Sequence, residues 1–174
     1  KFVQGPDFPT AGIIAGRDGI RKAYETGRGS ITVRARTEIE IEKKTERASI
    51  VITEIPFQLK KEVLVKAIAD LVKEKRVEGI SDIRDESSRE GVRIVMDLKR
   101  DATPEVVLNQ LWRNTPAQSS FPANMLAIRG GRPELLGLRE IIEAFVKFRE
   151  EVITRRTKFE LNKARDRAHI LLGL

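Results

Sequence analysis

Residues 47–56 read RASIVITEIP, and residues 60–76 read KKEVLVKAIADLVKEKR. The first stretch contains three consecutive β-branched residues, Ile50 to Ile52, which predict a well-buried strand. In the second stretch, apolar residues recur at helical spacing and the lysines lie mostly on the opposite side, which predicts an amphipathic helix. The rest of the fold is built outward from this strand and this helix.

The segments that follow continue this alternation of strands and helices. Residues 80–86 and 91–99 have the pattern of strands, Pro104 opens a second helix, and residues 119–128 contain a last extended segment. The predicted order from Ala48 is therefore β-α-β-β-α-β. This is the split β-α-β repeat of ferredoxin-like folds, an antiparallel sheet with two helices on one face, and it places the chain in the α+β class.

The segments before Ala48 predict a helix and a hairpin. Residues 18–26 have the signals of a short helix, and the following Gly-Arg-Gly is interpreted as a tight connector that exposes Arg28. Polar and apolar residues then alternate without interruption over residues 30–42, which predicts one long half-buried strand. A polar turn after it predicts a long antiparallel hairpin with residues 47–56. The polar face of the long strand changes sign, because two arginines precede three glutamates.

Residues 138–172 predict one long helix, unlike the short elements before them. They contain no proline, and Gly137 and Gly173 bound them. A helix of this length spans about 50 Å, which is longer than the core of a small domain. Its apolar residues are irregularly spaced, and we expect it to pack in an antiparallel pair with a helix outside this sequence. The predicted domains are an α+β domain over residues 1–136 and a long helix, beginning a coiled coil, over residues 137–174.

The composition excludes several classes of protein. Among 174 residues there are 33 Lys or Arg against 26 Asp or Glu, which gives a net charge of +7. No run of about 18 uncharged apolar residues exists, so no membrane helix is predicted. The absence of cysteine excludes disulfides, thiolate zinc sites and cysteine nucleophiles, and a cytoplasmic location is expected. The basic excess attracts polyanions such as nucleic acid, although solvated charge on stable elements explains it equally well.

No catalytic constellation is visible in the sequence. The acidic residues at 82–86 lack the spacing of a calcium loop and are interpreted as turn and surface charge. His169 has no serine or acid placed to complete a triad, and Tyr24 is interpreted as a packing residue. Trp112 and Phe121 are better explained as core residues than as platforms for stacking bases.

Several unbroken stretches resemble the A subunits of bacterial type IIA DNA topoisomerases, and together they cover essentially the whole chain. They are GPDFPT at 5–10, AYETGRG at 23–29, EIPFQ at 54–58, EKRVEGISDIRDES at 74–87, RIV at 93–95, KRDA at 99–102, VITRRT at 152–157, FEL at 159–161 and KARDRAHIL at 163–171. The stretch at 74–87 is more similar to DNA gyrase than to its topoisomerase IV counterpart, which remains the alternative.

The resemblance implies that this segment is the tower of the breakage-reunion region together with the start of the coiled coil. The full enzyme of this family cuts a gate duplex through paired tyrosines, passes a second duplex and reseals the first, driven by ATP. The nucleophilic tyrosine follows an arginine and precedes a threonine, whereas Tyr24 lies between Ala23 and Glu25. The family's intercalating isoleucine also lies upstream, so neither Ile13 nor Ile14 takes that role.

The resemblance therefore implies no catalytic, metal-binding or cofactor-binding residue in this segment, and predicts that the isolated segment is inactive. Magnesium and ATP belong to the other kind of subunit in the enzyme. The implied partners are double-stranded DNA, a second A subunit, and the gyrase B subunit, in an assembly of two A and two B subunits. No membrane partner is expected, and the implied location is the bacterial cytoplasm, associated with the nucleoid.

Charge position, rather than any family motif, indicates which side chains contact DNA. The role implied for a tower is to hold the arms of the gate duplex bent through phosphate contacts. Our first candidates are Arg17, Arg28, Arg34, Arg36, Lys43 and Lys44, and our second are Arg129 and Arg132 in a glycine-rich loop. Two alternatives stay open. One is a structural module whose basic residues pair with acidic protein faces, and the other is an RNA-binding ferredoxin-like domain, which lacks the expected exposed aromatics.

Overall fold

The structure is a computed structural model that describes residues 2–42 and 46–173. It divides into two compact units: unit 1 comprises the chain up to Arg21 together with Ser30–Ala123, and unit 2 comprises Lys22–Gly29 and the chain from Asn124 onward. The elements in chain order are β1 (Ile13–Ala15), α1 (Asp18–Thr26), β2 (Arg28–Arg34), β3 (Arg36–Ile41), β4 (Ala48–Glu54), α2 (Lys61–Lys73), β5 (Ile80–Asp85), β6 (Ile94–Leu98), α3 (Pro104–Asn114), β7 (Gln118–Asn124), β8 (Leu126–Arg129), β9 (Arg132–Leu135) and α4 (Leu138–Leu172).

The core of unit 1 lies between a four-stranded antiparallel sheet and two helices. The sheet has the order β3-β4-β6-β5, so that β4 and β5 both flank β6, as in a split β-α-β unit. Ile50 and Met96 on the sheet are fully buried in one cluster with Leu64 and Ile68 of α2 and Leu111 of α3. The predicted α+β class and the predicted order of elements from β4 to β7 are confirmed.

The predicted single strand over residues 30–42 is wrong, because the chain changes sheets at Ala35. Strand β2 belongs to a three-stranded sheet of order β1-β2-β7, whereas β3 is the edge strand beside β4. Ala35, the residue that joins β2 to β3, is fully buried, and its N–H donates to the carbonyl of Ala117 at 2.7 Å. The predicted hairpin is therefore limited to β3 and β4, and β7, the last strand of the repeat, does not join the four-stranded sheet.

Unit 2 contains a hairpin and the long helix. Strands β8 and β9 pair directly through a turn at Gly130 and Gly131, whose φ angles of 60° and 81° suit a two-residue hairpin turn. The predicted glycine-rich loop is thus a hairpin. The predicted helix over residues 138–172 is confirmed as α4. Glycine is required immediately before this helix, because a Cβ at Gly137 would lie 2.8 Å from the carbonyl oxygen of Tyr24.

Large apolar side chains remain exposed along α4, including Phe145, Phe148 and Phe159. A long helix with unburied apolar residues is typical of a coiled coil. Within residues 2–42 and 46–173, no helix combines the length and the apolar character that crossing a membrane requires.

Candidate nucleic-acid interface

Arg17 and Arg28 are exposed at the ends of short elements. Arg17 precedes α1 and Arg28 opens β2, immediately after Gly27. Within the described part of the chain, neither side chain forms an ion pair. Both charges are therefore available to a ligand.

Arg34 is held in place by two neighbours that carry no charge. Its Nε donates to Oε1 of Gln118 in β7 at 2.5 Å. Its guanidinium carbon lies 4.5 Å from the centroid of the Trp112 ring, which belongs to α3, and this is the geometry of a cation–π contact. No carboxylate of the described residues pairs with Arg34. The side chain is half-buried, fixed in position, and still carries an unneutralised charge.

Arg36, two residues further along, is neutralised within unit 1. Its Nε lies 3.0 Å from Oε2 of Glu54, which is directly opposite Arg36 in the pairing of β3 with β4. The same oxygen of Glu54 accepts the N–H of Gly12 at 2.7 Å. The Gly12 hydrogen bond, and after it the Arg36 guanidinium, hold the pKa of Glu54 below its usual range. Arg34 and Arg36 are equivalent candidates in the sequence, but of the two only Arg36 has a carboxylate partner among the described residues.

Of the four remaining predicted contacts, the structure describes two. Lys43 and Lys44 lie outside the described residues. Arg129 and Arg132 are opposite each other at the tip of the β8–β9 hairpin, and Arg129 is 2.5 Å from a carboxylate oxygen of Glu134. Arg132 is exposed and forms no ion pair among the described residues. The hairpin of unit 2 thus presents one neutralised and one available arginine.

The outer face of the four-stranded sheet is acidic. The strand register and one shared surface hollow place six carboxylates and three arginines on the side away from the core. We call this set the acidic face: Glu38, Glu40, Glu42, Arg47, Asp82, Arg84, Glu86, Arg93 and Asp97. Both Nη atoms of Arg93 bind the carboxylate of Glu40, at 3.0 and 2.9 Å. Arg84 contacts three carboxylates, and its hydrogen bond is the main cause that lowers the pKa of Asp97. Because carboxylates outnumber arginines by six to three, this face repels phosphate.

Asp85 is stabilised in its ionised form at the end of β5. Its carboxylate accepts the N–H of Ser87 at 3.0 Å and lies 3.0 Å from Nζ of Lys61. Hydrogen bonds from Ser87, first from its hydroxyl, and the Lys61 ammonium lower the pKa of Asp85 to about 2.

Among the described residues, no group of three His, Cys, Asp or Glu side chains is arranged to hold a metal ion.

Replacing Asp85 by asparagine should make the free energy of unfolding depend less on pH in the acid range. The pKa of Asp85 is lowered on folding from 3.8 to about 2, so its contribution is complete above about pH 4 and is lost as the pH falls toward 2. Because Asp85 is about one-third exposed, we expect that contribution to be on the order of 1 kcal/mol. Urea unfolding at pH 5 and pH 2.5 measures it. Asp70→Asn, at an exposed position on α2, is the control. If the free energy of unfolding fell by the same amount between pH 5 and pH 2.5 in both variants, the prediction would be contradicted.

Of the two aromatic residues predicted for the core, Trp112 packs against it, whereas Phe121 lies half-buried in a separate aromatic cluster. Phe121 packs edge-on against Phe8, with ring centroids 5.0 Å apart, and also contacts Phe57. Trp112 is partly buried against the core, as predicted, but its ring also supports Arg34. His169 is exposed on α4. The role of Trp112 as a support for an arginine had no signal in the sequence, because Arg34 and Trp112 are far apart along the chain.

Comparison with known proteins shows the family of this chain. The family model for the A subunit of DNA gyrase/topoisomerase IV matches residues 1–174, and the chain belongs to this family. It is 62% identical over 172 residues to the DNA gyrase A subunit of Granulibacter bethesdensis and 58% identical over 174 residues to that of Escherichia coli K12. These alignments cover 99% and 100% of the chain but only 18% and 20% of those relatives, so the chain spans about a fifth of their length.

Proposed function

We propose that this chain binds the two arms of a gate DNA duplex and holds them bent, as the tower of a gyrase A subunit. The observation that supports the proposal best is Arg34, which is fixed by Trp112 and Gln118 and lacks a carboxylate partner among the described residues. Arg17, Arg28 and Arg132 add exposed positive charge, and the acidic face is unsuited to phosphate. Contacts to phosphate carry no base information, so the binding is independent of sequence.

The energetics suit such a role. Smooth bending of a duplex by tens of degrees costs on the order of 1–6 kcal/mol. Each phosphate that a lysine or arginine neutralises releases counterions, which supplies the free energy and makes the affinity depend on salt. A few available arginines therefore suffice to offset the cost of bending.

For the parent protein, we propose the activity of the relatives named as DNA gyrase A subunits, rather than that of topoisomerase IV. Cleavage would then use a tyrosine upstream of this chain, and magnesium and ATP would be bound by the B subunit in an assembly of two A and two B subunits. On this proposal the isolated chain binds DNA without cutting it, and α4 continues into the coiled coil. The parent would work in the bacterial cytoplasm, on the nucleoid.

Duplex binding by the 174-residue chain, measured by fluorescence anisotropy as a function of salt, tests the proposal. A plot of log affinity against log salt should be linear, and Arg34→Ala should reduce its slope by about 0.9, the value for one lost phosphate contact. The control is the double variant Arg36→Ala with Glu54→Gln, which removes an ion pair and leaves the net charge unchanged. Its slope should equal that of the unaltered chain.

A scaffold that does not contact DNA is the second candidate function. It is favoured by the arginines that are already paired within the chain, namely Arg36, Arg84, Arg93 and Arg129. Under this alternative, the duplex affinity of the chain would be no greater than that of a neutral protein of similar size. Such a result in the anisotropy experiment would exclude our proposal.

A further inference from the structure

A cleft in unit 1 collects positive and amide side chains around Arg34. Besides Arg34 and Trp112 it is lined by Asn109 and Arg113 of α3 and by Gln118 of β7, with Gln110 and Val106 completing its wall. It therefore contains two guanidinium groups and three amides, and no carboxylate of the described residues lines it. We call it the Arg34 cleft.

Arg34 is organised as an anion receptor before any ligand arrives. The hydrogen bond to Gln118 uses Nε, and the Trp112 ring covers one face of the guanidinium group. Neither terminal nitrogen of Arg34 makes a hydrogen bond to a described residue. These two nitrogens form the fork that binds phosphate oxygens in pairs, and the entropy of fixing the side chain is already lost.

Partial burial without a counter-ion distinguishes Arg34 from the other arginines of the described residues. Arg36, Arg93 and Arg129 have side chains at least 41% exposed, and yet each is paired with a carboxylate. Arg34 and Arg93 are the half-buried arginines among the described residues, and of these two only Arg34 has no carboxylate partner. Arginines withdrawn from water are normally paired, so this position calls for an anion from outside the chain.

We infer that the Arg34 cleft binds one backbone phosphate of duplex DNA, with Arg34 as the bidentate donor and Arg113 as a second cation. This inference rests on the proposed function and adds Arg113, Asn109 and Trp112 to the interface. The ligand is a phosphodiester rather than a stacked base, because Arg34 already covers the Trp112 ring on the face that it contacts. Asn109, exposed on the same wall, supplies an amide donor to the phosphate.

The indole of Trp112 provides a direct readout, since it is the only tryptophan in the chain. Titration of the 174-residue chain with a duplex of about 30 base pairs should produce a saturable change in Trp112 emission, with the same midpoint as the anisotropy of a labelled duplex. Arg34→Lys keeps the charge but loses the planar fork, so we expect about a 3- to 10-fold loss of affinity with little change in the salt slope. Arg113→Ala should reduce the slope by about 0.9. Arg89→Ala, an equal loss of charge at an exposed turn, should leave the emission change and its midpoint unaltered.

The outcomes separate this inference from the proposed function. If the chain does not bind duplex at all, the proposed function fails and the inference with it. If the duplex binds while Trp112 emission stays constant and Arg113→Ala behaves like Arg89→Ala, the Arg34 cleft is excluded and the proposed function stands. Single-stranded DNA of the same sequence should bind more weakly, and an equal response would exclude the duplex as the preferred ligand. Circular dichroism of each variant confirms that it is folded, and because Arg113 is exposed, its variant provides a result even if the Arg34 variant does not fold.

Discussion

Replacement of Gly19 by alanine is expected to lower the free energy of unfolding by about 3 kcal/mol, the upper part of the range for overpacking. Gly19 lies in α1 where the helix crosses β2, and a Cβ there would be 1.9 Å from the carbonyl oxygen of Ser30 and 2.8 Å from its carbonyl carbon. Both are backbone atoms, so no side-chain rotation can relieve the clash. The helix has to move away from the strand.

Urea denaturation followed by circular dichroism measures this change. Gly173→Ala is the control, because a Cβ at Gly173 would have only ordinary contacts, the nearest at 3.5 Å. Since α1 follows Arg17 and β2 carries Arg34, the Gly19 variant should also bind duplex more weakly. Equal free energies of unfolding for the Gly19 and Gly173 variants would show that the helix tolerates displacement.

Replacing Arg17, Arg28, Arg34 and Arg132 together by glutamine is expected to weaken duplex binding roughly 10²- to 10³-fold at about 0.1 M salt. These are the predicted contacts that the structure leaves without a carboxylate partner among the described residues. The loss of four phosphate contacts should reduce the slope of log affinity against log salt by about 3 to 4.

The control variant changes four other basic residues to glutamine: Lys66, Lys73, Arg89 and Arg100. These side chains are also exposed and form no ion pair among the described residues, and both variants lower the net charge from +7 to +3. Net charge alone would weaken binding equally in the two variants. Equal losses would therefore contradict the assignment of particular arginines to the interface.

The helices could be predicted well from the sequence. The bounds of α4 and α1 agree with the prediction because glycines follow both helices and proline is absent within them. The strands could be located but not paired. Period-two alternation continues through Ala35 whichever sheet each half joins, so it does not show that the chain changes sheets there.

The candidate contacts could be proposed from charge position but not ranked. Arg34 and Arg36 are equivalent in the sequence, and what separates them is tertiary: Glu54 lies opposite one and Trp112 lies under the other. On the acidic face, Arg84 finds a carboxylate on the neighbouring strand, and Arg93 finds Glu40 two strands away. Such pairings depend on strand register, which residue spacing does not fix.

On the proposed function, the acidic face affects the rate at which the chain and duplex DNA associate. A polyanion that approaches the acidic face meets six carboxylates and three arginines, and is repelled within about a Debye length. The 174-residue chain carries +7, so its net charge attracts the duplex while the acidic face repels it. Such polarity orients the partners during diffusional encounter and raises the fraction of collisions that are productive, most strongly at low ionic strength.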